Sequence, residues 1–272
     1  MTKKMLFLDL DGTLLDDNRQ ITPGNRKALE EALERGHGVI ITTGRPFLGA
    51  LNLAREMALD KPGCYTIAFN GALIFDWKDQ QVIFRQTVPM EDVNKVFAAA
   101  RELGVHIQTY DDREVVIEPW CDHTLAAKYC KNLAMNYRVE EDVCAALEED
   151  PYKLLVIEEN SQEKTNALVR YLEAELADRL DSFHSTPTFL DIVKKGMSKG
   201  EAVIRLCDML NIPVADAIAV GDAPNDLSMI VAAGVGVAMA NGTEDVKAAA
   251  DYITQNDNNH DGVAEVVERF MK

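Results

Sequence analysis

Short buried-strand runs alternate with helical stretches at both ends of this chain, and the alternation breaks off in its middle. Met5–Leu8 is a bulky apolar run that reads as a buried strand, and Asp-Leu-Asp-Gly at 9–12 supplies the turn that ends it. Thr22-Pro23 is an N-cap followed by a first-turn proline; Ala28, Leu29, Ala32 and Leu33 then recur at helical spacing, and Gly36 stops the helix. Residues 39–41 predict a second strand ending in Thr-Thr-Gly-Arg-Pro, Pro46 starts another helix, and residues 66–69 predict a third strand. The same alternation returns late in the chain, with helices over 199–210, 225–233, 243–250 and 262–270 and strands over 217–220, 235–238 and 252–253. Strand–helix repetition of this kind argues for a parallel sheet with helices on both faces.

After Asn70-Gly71 the pattern changes. Residues 72–75 and 82–86 look like paired strands around the polar turn 76–81. Beyond them, helices over 91–103, 124–132 and 162–180 mix with strands over 105–110, 114–117 and 154–157, near Phe183, and over 189–193. The expected fold class is α/β: a Rossmann-like doubly wound parallel sheet core from residues 1–87 and 188–272, with an inserted α+β domain over 88–187.

Composition narrows the partners. Lys and Arg total 28 against 45 Asp and Glu, a formal net charge of −17. A field of that sign repels nucleic acid and anionic membrane surfaces, so neither is an expected partner. A small anionic substrate then needs local cations or a metal. The five cysteines (Cys64, Cys121, Cys130, Cys144 and Cys207) include no C-x-x-C and read as reduced thiols. Asp9 cuts the first apolar run too short for a signal peptide, and no apolar stretch reaches the roughly 20 residues that cross a bilayer. The expected location is cytoplasmic. The five histidines show no paired zinc spacing.

Four segments at strand ends or helix starts carry polar chemistry. In Asp9-Leu10-Asp11-Gly12-Thr13, residues two apart in extended chain point the same way, so Asp9 and Asp11 can face one site, and Gly12 permits a sharp turn. Two carboxylates so placed imply a bound metal, a protonated acid, or both. The segment lacks the glycine and glutamate of a calcium-binding EF-hand loop; an acidic turn without chemistry is the competing account. Thr43-Gly44-Arg45 offers a hydroxyl and an exposed N–H before a helix, suited to phosphate oxygens or to simple capping. Lys199-Gly200 sets a lysine at a helix start, against the dipole, as a point charge for an anion or a surface residue. Gly221-Asp222-Ala-Pro-Asn225-Asp226 again puts acids at a strand's carboxyl end, where Asp222 could join Asp9 around Mg²⁺ or the segment could be a simple turn with an Asn N-cap.

In this order, with these spacings, the four segments resemble the motifs of the haloacid dehalogenase superfamily of phosphotransferases. Thr-Thr-Gly-Arg-Pro and Phe69-Asn70-Gly71-Ala72, together with the long insertion, are similar to the Cof-type sugar phosphatases, whose type IIB α+β cap determines substrate specificity. The resemblance implies that Asp9 is the nucleophile and a Mg²⁺ ligand. It makes Asp11 the general acid and base, its backbone carbonyl also on the metal. Asp222 becomes a metal ligand and Asp226 a support of the metal loop. Leu10, Thr43, Gly44, Lys199 and Asn225 would hold the phosphate, joined by Arg45 and Asn70 on the substrate.

The activity so implied is Mg²⁺-dependent hydrolysis of a small phosphate ester, a sugar phosphate or similar, through an aspartyl phosphate. A sugar phosphomutase on the same scaffold would carry identical motifs. A receiver-like phospho-accepting module would need neither Asp11 nor a large insertion.

Overall fold

Both ends of the chain contribute strands to one sheet, as the alternation predicts. The computed structural model describes residues 2–272. Its elements begin β1 (Met5–Leu8), α1 (Pro23–Glu34), β2 (Gly38–Thr42), α2 (Phe47–Glu56), β3 (Cys64–Ala68), β4 (Leu73–Asp76) and β5 (Gln81–Arg85). They continue α3 (Met90–Leu103), β6 (His106–Tyr110), β7 (Glu114–Ile117), α4 (His123–Leu133), β8 (Asn136–Val139), α5 (Val143–Ala146), β9 (Lys153–Ile157), α6 (Gln162–Glu175), β10 (Leu180–Thr186) and β11 (Phe189–Lys194). The chain closes with α7 (Lys199–Met209), β12 (Ala217–Gly221), α8 (Leu227–Ala232), β13 (Val235–Ala238), α9 (Glu244–Ala249), β14 (Tyr252–Ile253) and α10 (Gly262–Phe270).

Two compact units result. The first comprises the chain up to Arg45, Ala50–Phe84 and Ser198–Lys272; the second comprises Pro46–Gly49 and Arg85–Met197. The boundary expected at residue 188 is therefore corrected to 197/198. β11 pairs antiparallel with β9 and β10, Phe189 lying opposite Ile157. A short apolar strand reads the same in either sheet, and only its pairing partners assign it.

The first unit holds an eight-stranded sheet in the order β14-β13-β12-β1-β2-β3-β4-β5. The pairs from β14 to β3 are parallel, and β4 adds to β3 antiparallel. Strand order runs outward in both directions from the β1/β12 boundary, which is the topological switch point where a doubly wound sheet opens its ligand crevice. Strand period decides the packing. Met5, Phe7, Ile40, Ala217 and Ala219 form one cluster with Val203 and Leu206 of α7 and Met229 of α8. Alternate residues Leu6, Leu8, Val39, Ile41, Ile218 and Val220 are equally buried and lie on the opposite face. On α1, which packs on β2 and α10, Leu29 and Ala32 are buried in turn. Each large side chain so buried is worth about 1.5–3 kcal/mol.

The second unit holds a six-stranded sheet, β10-β11-β9-β6-β7-β8, with α3 packed against α6. α6 ends at Glu175, short of the expected 180, because Leu180 already opens β10, paired with Lys194 of β11. The five cysteines are free thiols, and among the described residues no helix is long and apolar enough to cross a membrane.

Candidate active site

Register brings the first and fourth motifs together. Leu8 pairs with Val220 on one side and Ile41 on the other, so the chain leaves β1, β12 and β2 at one level. The Asp9 N–H extends the ladder by donating to the Val220 carbonyl at 3.1 Å. Asp9 and Asp222 thus emerge side by side at the carboxyl ends of adjacent strands. Carboxylate oxygens of Asp9, Asp222 and Asp226 all lie within 4.8 Å of one another.

Lys199 completes this group from α7. Ser198 caps the helix, its Oγ accepting from the Glu201 N–H at 3.1 Å. Lys199 is 1% exposed, which excludes the surface-lysine reading. Its Nζ donates to Asp9 Oδ1 at 2.5 Å and to Asp226 Oδ1 at 2.5 Å. Burial opposes the charge on this ammonium, but Asp226 and Asp9 outweigh it and raise the lysine pKa. Asp226 is spent on scaffolding: its Oδ2 accepts from the N–H groups of Asp222 and Ala223 at 2.9 and 3.0 Å, tying the loop after β12.

Burial pushes the Asp9 carboxyl well above the ordinary carboxylate range; Lys199 pulls it back, while Asp226, Asp222 and Asp11 add to the rise. Burial, then Asp226, pushes Asp222 up to about 6. Three carboxylates around one ammonium leave a local excess of two negative charges when all are ionised. A divalent cation held by hard oxygen donors would remove that excess, so the residues fit a divalent metal ion. Asp9 and Asp222 are the side chains placed for it, whereas both oxygens of Asp226 already accept hydrogen bonds.

Asp11 lies apart from the trio. Its carboxylate is half exposed and is gripped by Arg45, whose Nε donates to Oδ2 at 2.8 Å and Nη2 to Oδ1 at 2.5 Å. Thr43 is buried, with its Oγ1 accepting from the Arg45 N–H at 3.1 Å. Leu10 buries its side chain and gives its carbonyl to the Leu15 N–H at 2.9 Å, so any role at a phosphate falls to its backbone N–H. Asn225 and Asn70 meet, Nδ2 to Oδ1, at 3.5 Å.

Sequence reasoning missed three supports. Thr13 Oγ1 donates to Asp222 Oδ1 at 2.8 Å, a hydroxyl in the same turn as Asp11 and so within reach of inspection. Ser228 Oγ accepts from the Gly200 N–H at 3.1 Å. Asn241 Nδ2 donates to the Gly12 carbonyl at 2.7 Å across 229 residues, with no local signal.

A family model described as haloacid dehalogenase-like hydrolase matches residues 6–267. A haloacid dehalogenase-like hydrolase from Bacteroides thetaiotaomicron is 34% identical with a TM-score of 0.88, over 98% of this chain and 99% of that one. A sugar phosphatase of haloacid dehalogenase subclass IIB is 25% identical with a TM-score of 0.82, over 98% and 99%. The 5-amino-6-(5-phospho-D-ribitylamino)uracil phosphatase YitU of Bacillus subtilis is 30% identical over 98% of this chain and 96% of its own length.

Proposed function

The chain belongs to the haloacid dehalogenase-like hydrolase family, as a phosphoric monoester hydrolase, and on that footing we propose that it cleaves small phosphate esters, sugar phosphates or similar polyhydroxylated compounds, through a phosphoryl group carried on Asp9. The observation that carries this reading is the buried Lys199 ammonium held between Asp9 and Asp226 beside Asp222, at the switch point of the sheet.

A carboxylate approaching a phosphate dianion meets like-charge repulsion. Lys199 is placed to offset it, and it keeps Asp9 oriented through Oδ1. Asp9, Asp222 and the Asp11 backbone carbonyl would hold Mg²⁺, which when bound neutralises charge on the phosphate oxygens. Thr43, the backbone N–H groups of Gly44 and Leu10, and Asn225 hold the transferring group. Asp9 attacks phosphorus and the ester C–O–P bond breaks on the phosphorus side. Asp11 gives its proton to the departing alkoxide and then takes one from the water that attacks the aspartyl phosphate, releasing phosphate and restoring Asp9. Arg45 grips both carboxyl oxygens of Asp11 in the unliganded chain. A substrate that draws Arg45 to itself would free both oxygens of Asp11 to face the leaving group.

Phosphate release over a panel of sugar phosphates, nucleotides and phosphorylated cofactors, with Mg²⁺ and with chelator, tests the proposal. Turnover is expected for sugar or polyol phosphates, to vanish with chelator and to return on adding Mg²⁺. Full activity in chelator, or no ester cleaved, would contradict it.

Metal affinity is expected to depend on pH. Protons and metal compete for Asp222, whose carboxyl is pushed up to about 6. Below that value the Mg²⁺ concentration giving half-maximal thermal stabilisation should rise with falling pH, by about tenfold per unit for one competing proton. Without metal the sign reverses. Asp222 binds its proton more tightly folded than unfolded, so its contribution to stability is fully present below about pH 4 and is lost as pH rises through about 6. A metal midpoint flat from pH 4 to 7 would exclude Asp222 as a ligand.

A further inference from the structure

We infer that Asn70 is a positioning residue, and that the turn Phe69–Gly71 is a brace setting the distance between the Gly44 loop and the helix start that bears Lys199. The inference rests on the reading of Thr43, Gly44 and Lys199 as phosphate binders.

Three successive residues have positive φ: Phe69 at 52°, Asn70 at 56° and Gly71 at 109°. A bulky aromatic residue rarely adopts that conformation, and such strain persists only where the surroundings over-determine it. Here two backbone bonds do so. The Phe69 N–H donates to the Arg45 carbonyl at 3.1 Å and the Asn70 N–H to the Thr43 carbonyl at 3.0 Å, fastening the turn to the loop after β2. The Phe69 side chain is buried. On its other side the turn abuts α7: a Cβ on Gly71 would lie 2.4 Å from the carbonyl oxygen of Ser198, the cap residue before Lys199. The Asn70 side chain, 1% exposed, fills the remaining space. A Cβ on Gly44 would come within 2.9 Å of its Oδ1, and Asn225 Nδ2 approaches the same oxygen. One three-residue turn therefore touches the loops of the second and fourth motifs and the helix start of the third.

The test is a rescue. Gly44→Ala, Asn70→Gly and the double variant are assayed with an aryl phosphate at saturating Mg²⁺, with a thermal melt of each. Gly44 does not need a positive φ, so the added methyl acts by pressing on Asn70. Gly44→Ala should lower kcat about 100-fold, the scale of loss for a small misplacement of reacting groups. Asn70→Gly keeps the backbone conformation and should lower kcat about tenfold, with KM changing less and no loss of thermal stability. In the double variant the methyl occupies the space left by the amide, and kcat should climb back to the Asn70→Gly level.

A direct substrate contact would instead multiply the two losses. Should Gly44→Ala fail to fold, recovery of a cooperative melt in the double variant is the same rescue. A double variant no better than Gly44→Ala, or Asn70→Gly with parental kcat, would overturn the brace. A parental chain that releases no phosphate would instead sink the phosphatase mechanism.

Discussion

Asp9→Asn is expected to lower turnover of an aryl phosphate at least ~10⁴-fold while leaving the cooperative thermal melt intact, a loss of the order seen when a covalent nucleophile is removed. The substitution keeps the shape of the side chain and replaces a carboxylate by an amide too weak to attack phosphorus. It should not weaken the fold. Burial and the neighbouring Asp226 and Asp222 already disfavour charge at this position, and Lys199 retains its bond to Asp226. The checks are kcat beside a melting curve for parent and variant. Activity within tenfold of the parent would place the nucleophile elsewhere.

Lys199→Met should affect both activity and stability. The methionine fills similar space, but Asp9 and Asp226 then face each other, buried, without a cation. Removing one partner of a buried ion pair costs about 3–5 kcal/mol, because an uncompensated charge is left behind. Denaturant unfolding at neutral pH in the absence of metal should show that loss. Turnover should fall about 10²–10³-fold, the range for a deleted electrostatic contact in a transition state. An unchanged unfolding midpoint would mean that the ammonium does not hold the site together.

The acids were legible because position and period carry the information. A residue just past a buried strand sits at the sheet's carboxyl edge, and Asp9 and Asp222 occupy that place on strands that prove adjacent. Burial of Lys199 was not legible, since a helix-start lysine reads alike inside and outside until its partners 190 and 27 residues away are placed. The grip of Arg45 on Asp11 depends on side-chain rotamers that no spacing encodes. Within the fold, β8 went unseen because Asn136-Tyr-Arg-Val is half exposed and lacks an apolar run. β11 was assigned to the wrong unit because its partners lie in β9 and β10, tens of residues upstream for β9 and just beside it for β10. The positive φ at Phe69 is set by backbone hydrogen bonds from the turn to Arg45 and Thr43, a tertiary effect with no local signature.

The central claim is that the phosphoryl group passes through Asp9 on its way to water. The stereochemical course at phosphorus, followed with an isotopically chiral thiophosphate ester, tests it most directly. Two successive in-line displacements, first by Asp9 and then by water, give net retention of configuration, which is the expected result; net inversion would mean that water attacks the ester in a single step and that Asp9 never carries the phosphate.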